Sequence, residues 1–248
     1  MEKRIDIFKK VWYNNNVMDM QEKILYLEGL LFNEKHAEFE KFREMLLEYN
    51  EKYNLTTILE TQDVYYKHFL DSIAGESFFK KNAKVAEIGS GAGFPSLPLK
   101  ILRPDLKLDL FESVGKKCDF LRAVVDKFGF TDVNIYNIRA EDAAREQKFR
   151  DKYDYATARA VARMNTLSEY CMPFVKVGGA FVAYKSGDTS EIDEAVSAYK
   201  ALGGKCKQVV KYALPKEYGE RSIAVIEKNK PTPARYPRGQ GKERKSPL

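Results

Sequence analysis

KVAEIGSGAGFPSLPLKI, residues 84–101, sets three glycines, Gly89, Gly91 and Gly93, between a short apolar run and a longer one. Val85, Ala86 and Ile88 make a compact apolar segment bounded by glycine, the mark of a strand buried on both faces of a parallel sheet. Glycine lets the chain turn sharply and lets backbone approach a ligand with no Cβ in between. Pro95 suits the first position of a helix, and Pro98 still falls in the first turn, where amides lack intrahelical partners. The predicted helix then runs through Leu99, Ile101 and Leu102 to Pro104. Strand, glycine turn and helix in this order form the core of a nucleotide-type cofactor site.

Spacing narrows the ligand. Counted from Gly89, the sixth position of the dinucleotide pattern G-x-G-x-x-G is Phe94, so that fingerprint fails at its third glycine. No Gly-Lys-Ser/Thr follows, which excludes a P-loop. The remaining pattern is E-x-G-x-G-x-G, with Glu87 two residues ahead of the first glycine. A carboxylate there disfavours a polyphosphate and favours a cationic ligand such as the sulfonium and amino groups of S-adenosylmethionine. Residues 107–111 read as the next strand, and Glu112 closes it, placed to accept both hydroxyls of a ribose.

The 248 residues can hold one sizeable α/β domain and a small addition, and 44% hydrophobic residues with 12% aromatics suffice for a true core. Cys118, Cys171 and Cys206 are widely spaced with no C-x-x-C, which argues against a disulfide framework or zinc site and for a reducing compartment. No apolar stretch approaches a membrane span, and the opening MEKRIDIFKK lacks the apolar centre of a signal peptide. A cytoplasmic protein without a membrane partner or a metal is therefore expected. The net charge of +6 is concentrated in residues 228–245, where seven lysines and arginines face only Glu243. Basic character thus belongs to the C-terminal tail, the signature of an arm rather than a basic body.

Residues 1–80 carry helical periodicity without glycine turns and predict a small helical cap. Ile5, Phe8, Val11 and Trp12 suit a first short face, Ile24, Leu25, Leu27, Leu30 and Leu31 a second, and Phe39, Phe42, Leu46 and Tyr49 a third. Tyr53, Tyr65, Tyr66, Phe78 and Phe79 suit base stacking or plain core, and core is the commoner use of such spacing. Residues 81–230 alternate strand and helix, with a helix at 115–128, strands at 133–136 and 153–157, a helix at 164–172, a strand at 180–185 and a helix at 191–202. Such alternation predicts a parallel sheet with helices on both faces. Strands at 206–212 and 222–227 are joined by LPKEYGER without a helix, so this last pair is antiparallel. The order matches the Rossmann-like, seven-stranded α/β fold of class I S-adenosylmethionine-dependent methyltransferases, followed by the tail at 231–248.

In such sheets ligands lie beyond the C-terminal strand ends. Those ends are residues 87–93, Glu112, the turn Arg139-Ala140-Glu141-Asp142, Arg159 and Lys185. A carboxylate in the third turn suits an adenine amino group, and acidic residues also suit a plain helix start. The fourth strand ends in Ala158-Arg159-Ala160-Val161 and not in the Asn/Asp-Pro-Pro-aromatic turn common where exocyclic amines are methylated. Cys171 lies in an apolar helix and reads as a buried thiol, not the nucleophile that pyrimidine C5 chemistry requires. An acceptor that is already nucleophilic, such as guanine N7, needs neither device. Arg159 and Lys185 are candidates to hold phosphate or a base edge. His68 precedes Phe69, Leu70, Asp71 and Ser72 at the edge of the cap, and a lone histidine is more often structural than a general base.

The chain resembles the glucose-inhibited division protein B family, bacterial guanine-N7 methyltransferases of small-subunit ribosomal RNA. The resemblance rests on YNLT (53–56), the H-x-x-D-S of His68 to Ser72, EIGSGAGFP (87–95), FES-x-x-KK (111–117), RAE (139–141), ARAVA (158–162), YPR (236–238) and the final PL, which span most of the chain in order. Ser96 and Leu97 stand where the family usually has glycine and isoleucine, and the tail has Gly241-Lys242 without the expected proline. About twenty residues ahead of the cap look like an extension. The resemblance implies S-adenosylmethionine as donor, no metal, and a guanine of the 530 loop of 16S ribosomal RNA as acceptor. It further implies naked RNA or the small-subunit particle as partner, a monomer, and a cytoplasmic role. Carried across by position, donor contacts fall on Gly89, Phe94, Ala140, Glu141 and Arg159, beside Glu87, Gly91 and Glu112 from the glycine turn and the strand end. In the tail, Arg235, Arg238, Lys242 and Arg244 become candidates to follow RNA phosphates, where a solubilising end is the plainer reading. Methyl transfer to another RNA or a small molecule, and a cofactor-sensing RNA-binding module without turnover, stand as alternatives.

Overall fold

The computed structural model describes residues 19–248; the face expected at Ile5, Phe8, Val11 and Trp12 lies outside the described residues. Two amphipathic helices come first, α1 (Met20–Phe32) and α2 (His36–Tyr53). Ile24, Leu27 and Leu31 of α1 and Phe39, Phe42 and Leu46 of α2 are buried at three- and four-residue steps, while Leu25, placed by the periodicity on the apolar face, is 55% exposed. The next helix, α3, runs from Thr61–Asp63 through Val64–Leu70 to Asp71–Ile73, and its middle seven residues are wound as a π-helix. π turns concentrate at functional sites. This one buries Tyr65, Tyr66 and Phe69, so these aromatics are core and not base platforms.

Strands and helices then alternate. They are β1 (Lys84–Ile88), α4 (Ser96–Leu102), β2 (Lys107–Glu112), α5 (Gly115–Phe128), β3 (Val133–Asn137), α6 (Ala140–Ala143), β4 (Tyr153–Arg159) and α7 (Met164–Cys171). There follow β5 (Val175–Ser186), α8 (Ser190–Glu194), α9 (Val196–Ala201), β6 (Gly204–Ala213), β7 (Glu220–Lys228) and α10 (Lys242–Lys245). The helix expected over 191–202 is two short ones, broken at Ala195.

The seven strands lie in the order β3-β2-β1-β4-β5-β7-β6. Neighbours are parallel as far as β5, and β7 runs antiparallel to both β5 and β6. The winding reverses between β1 and β4, which opens a crevice at their C-terminal tips. Register brings those tips level, Ile88 beside Phe111 and Glu112 beside Asn137.

Each face of the sheet has its own core. Val85, Leu108 and Leu110 join Leu27, Phe42 and Phe69 of the N-terminal helices on one face. Ala86, Ile88, Phe111 and Ala156 join Leu167, Phe174 and Tyr199 on the other. The tail, read from charge as a free arm, instead folds onto this second face. Tyr236 and Glu243 are buried, and Arg238 makes a bidentate ion pair with the fully buried Glu169, Nη2 to Oε2 at 2.7 Å and Nε to Oε1 at 3.0 Å. Charge composition alone could not show this, because the anchoring groups lie on α7 and in the segment 144–150.

Candidate active site

A cavity of about 530 Å³ opens over the tips of β1, β2 and β3, of a size that suits a nucleoside-bearing ligand. Its walls are Ile88, Gly89, Phe111 and Glu112 from the strand tips, Ile138 to Asp142 from the turn after β3, Val161 and Tyr170 beyond β4, and Gln240, Gly241 and Arg244 from the tail. Of the residues singled out from the sequence, Gly89, Glu112, Ala140, Glu141 and Arg244 meet here.

The glycine turn is held to β2 by backbone. Gly89 has φ +68°, and its amide donates to the Phe111 carbonyl at 2.9 Å. A Cβ at Gly89 would stand 2.8 Å from Val161 Cγ2, so both conformation and space require glycine. The Glu112 carboxylate is fixed by the same turn. Its Oε2 accepts the Gly91 amide at 2.9 Å and its Oε1 accepts the Val114 amide at 2.8 Å. Each oxygen keeps a further lone pair, so the carboxylate is held in place on the cavity wall and able to accept hydrogen bonds from two hydroxyls together. Ala140 and Glu141, also on the cavity wall, open α6, where the first amides of a helix have no intrahelical partner.

Glu87, expected from the spacing to face the ligand, is not on the cavity wall. It is fully buried and faces the start of α4, where the Ser96 amide approaches its Oε1 at 3.4 Å. Burial pushes its carboxyl up to about 8, so at neutral pH it is largely a neutral acid bracing the turn. The ring of Phe94 likewise points away from the cavity. It stacks on His68 with ring centroids 4.3 Å apart and packs on Phe42 of α2 at 5.6 Å.

Arg159, at the end of β4, reaches back to α3. Its Nη1 donates to Asp71 Oδ2 at 2.9 Å and to the Lys67 carbonyl at 2.8 Å, and its Nη2 donates to His68 Nδ1 at 2.8 Å. Asp71 Oδ1 in turn accepts the Tyr212 hydroxyl at 2.8 Å. Periodicity could not find this network, since it joins α3, β4 and β6. The H-x-x-D spacing of His68 and Asp71, one helical turn, was its only sequence signal. Lys185 donates to the Ala162 carbonyl at 2.8 Å and pairs with Glu191 at 3.2 Å. It therefore ties β5 to α8, as Arg238 ties the tail to α7. Arg235, Lys242 and Arg244 are exposed, Arg235 lying over the Tyr236 ring at 5.0 Å. Cys171 is fully buried, and burial holds its thiol well above the usual range.

Among the described residues, no group of three or more histidines, cysteines and carboxylates is placed to hold a metal, and no helix is long and apolar enough to cross a membrane.

Comparison with known proteins gives the same picture. The fold resembles an S-adenosylmethionine-dependent O-methyltransferase from Thermotoga maritima, with TM-score 0.51 and 14% identity over 76% of this chain and 73% of that one. It also resembles P. horikoshii TYW2, with TM-score 0.50 and 15% identity over 64% of this chain and 61% of that one. In sequence, a protein of Brevibacillus brevis named ribosomal RNA small subunit methyltransferase G is 46% identical over 91% of this chain and 97% of its own length. A Listeria monocytogenes protein of the same name is 45% identical over 88% of this chain and 93% of its own length. The profile described as rRNA small subunit methyltransferase G matches residues 35–222. With a class I methyltransferase sheet, a carboxylate-tipped cavity at its switch point and this match over most of its length, the chain belongs to the rRNA small subunit methyltransferase G family.

Proposed function

We propose that the protein transfers a methyl group from S-adenosylmethionine to N7 of a guanine in the 530 loop of 16S ribosomal RNA, guanine 527 by family position. The observation that carries this reading is the cavity at the strand tips, which the Glu112 carboxylate, fixed by two backbone amides, lines together with the opening turn of α6. Glu112 suits the ribose hydroxyls, and Glu141 with the amides of α6 suits the adenine edge. When bound, adenosylmethionine supplies a methyl carbon made electrophilic by its sulfonium.

The chain's own residues then have positioning to do and little proton chemistry. Guanine N7 attacks with a lone pair and carries no proton to remove, so alignment and exclusion of water provide the rate. This fits the site. Cys171 is buried away from the cavity, and His68 is locked between Arg159 and Thr56. The end of β4 holds Arg159, a positioning residue that fixes α3 against the glycine turn. The helices up to residue 80 act as a cap, and exposed cations such as Lys242 meet RNA phosphate. The substrate is ribosomal RNA, free or in the small-subunit particle, and the enzyme works in the cytoplasm as a monomer.

The test is incubation with labelled S-adenosylmethionine and small-subunit particles that lack the modification, followed by borohydride and aniline cleavage. Label and a single cleavage in the 530 loop are expected. Label elsewhere would move the activity to another substrate, and no label on any RNA or metabolite would favour a binding module.

A further inference from the structure

The tail Tyr236–Lys245 was singled out by its charge, yet its geometry is that of a built wall. Four side chains from the body of the fold grip its backbone or the residues leading into it. Arg145 donates to the carbonyls of Pro237 and Arg238 at 2.9 and 2.7 Å, Arg150 donates to those of Thr232 and Tyr236 at 2.8 Å each, and Thr166 donates to that of Glu243 at 2.8 Å. Glu169, fully buried, takes the Arg238 guanidinium on both oxygens and the Arg238 amide at 2.8 Å. Removing one partner of such a buried pair leaves an uncompensated charge.

These anchors converge on a turn of unusual backbone. Gly239, Gln240 and Gly241 lie at φ +73°, +58° and +74°, three left-handed residues in succession. Gln240 carries a Cβ in that conformation, a strain that persists only where its surroundings hold it. Gly239 cannot be replaced freely, because a Cβ there would stand 2.6 Å from Arg145 Nη2. The Glu243 carboxylate, fully buried, folds back to accept the Gly239 amide and closes the turn. What the turn presents is Gln240, Gly241 and Arg244, all on the wall of the strand-tip cavity.

We infer that this C-terminal turn is part of the methyl-donor site, locked in place by Glu169 and Arg238, and that Gln240 and Arg244 contact the donor. The chemistry is complementary to the rest of the cavity. Glu112 and Glu141 accept hydrogen bonds from hydroxyl and amino groups, whereas a guanidinium and an amide supply donors for acceptor atoms such as adenine ring nitrogens or a carboxylate. The inference rests on the reading of the cavity as an adenosylmethionine site. It assigns Arg244 to the donor and leaves Lys242 and Arg235 as the tail's cations for RNA.

The experiment is calorimetric titration of the full-length chain with S-adenosylhomocysteine, alongside Gln240→Ala/Arg244→Ala and Glu169→Gln. The double variant removes the contacts and the single variant loosens the lock. Both are expected to bind about tenfold or more weakly, as loss of charge-assisted hydrogen bonds predicts. In steady-state assays the double variant should raise KM for the donor while KM for RNA stays within about twofold. Wild-type affinity in the double variant, or a rise confined to KM for RNA, would overturn the inference while leaving the donor site intact. Absence of binding by the unaltered chain would instead overturn the donor-site reading, and this inference with it.

Discussion

His68 Nδ1 lies 2.8 Å from Arg159 Nη2, and its Nε2 lies 3.0 Å from Thr56 Oγ1. A guanidinium can only donate, so Nδ1 is the acceptor and the ring proton sits on Nε2, donated to Thr56. Burial first and the Arg159 charge second push the imidazole down to about 3. His68 therefore stays neutral in the fold while an unfolded histidine gains a proton near pH 6.5. Its contribution to stability is complete above that pH and is lost as pH falls from about 6.5 towards 3. Nitrogen-resolved NMR should show a single Nε2–H tautomer with no titration between pH 5 and 8; a midpoint near 6.5 would rule out the bond to Arg159.

Glu87 titrates in the opposite sense. With its carboxyl pushed up to about 8 by burial, the folded state keeps a proton that the unfolded chain releases near 4.5. Stability linked to this group is thus complete below about pH 4.5, declines as pH rises, and levels off above about 8. Glu87→Gln imitates the protonated acid and cannot ionise. Its melting temperature should match the wild type near pH 5 and exceed it increasingly by pH 8, with a gain on the order of a few kcal/mol. Parallel curves would show that Glu87 is ionised in the fold.

Cys171 is fully buried on the face of the sheet packed by α7. Cys171→Ala should keep methyl transfer within about twofold and lose about 1 kcal/mol in urea denaturation, the scale of a small cavity. A loss of activity without a loss of stability would return the thiol to the mechanism.

Gly89 combines a left-handed φ of +68° with a position where an added Cβ would stand 2.8 Å from Val161 Cγ2. Gly89→Ala adds backbone strain of about 1–2 kcal/mol and a clash at the mouth of the cavity. Binding of S-adenosylhomocysteine should fall at least about tenfold, measured on protein confirmed as folded by circular dichroism. Unchanged affinity would place the donor elsewhere.

Local pattern made the sheet legible. Val85 to Ile88 read as a buried strand because apolar residues there serve both faces, and Glu112 stood out because strand ends are where parallel sheets bind ligands. The hairpin of β6 and β7 was readable from the missing helix between them. What escaped the sequence was whatever depends on distant partners. Glu87 is an acid two residues from a glycine turn, but only the packed helix α4 reveals that it is buried and neutral. The basic residues from 228 to 245 suggested an arm, and nothing local shows that Glu169 captures Arg238. The π turn of α3 has no periodic signature, since it adds one residue to an otherwise ordinary apolar helix.

The central claim is that the cavity at the tips of β1, β2 and β3 holds an adenosyl donor through Glu112. Calorimetry of the wild type and Glu112→Gln with S-adenosylhomocysteine tests it most directly. Saturable binding by the wild type, weakened about tenfold or more in the variant, is the predicted result. No heat with this ligand, together with tight binding of a nicotinamide or flavin nucleotide, would contradict it.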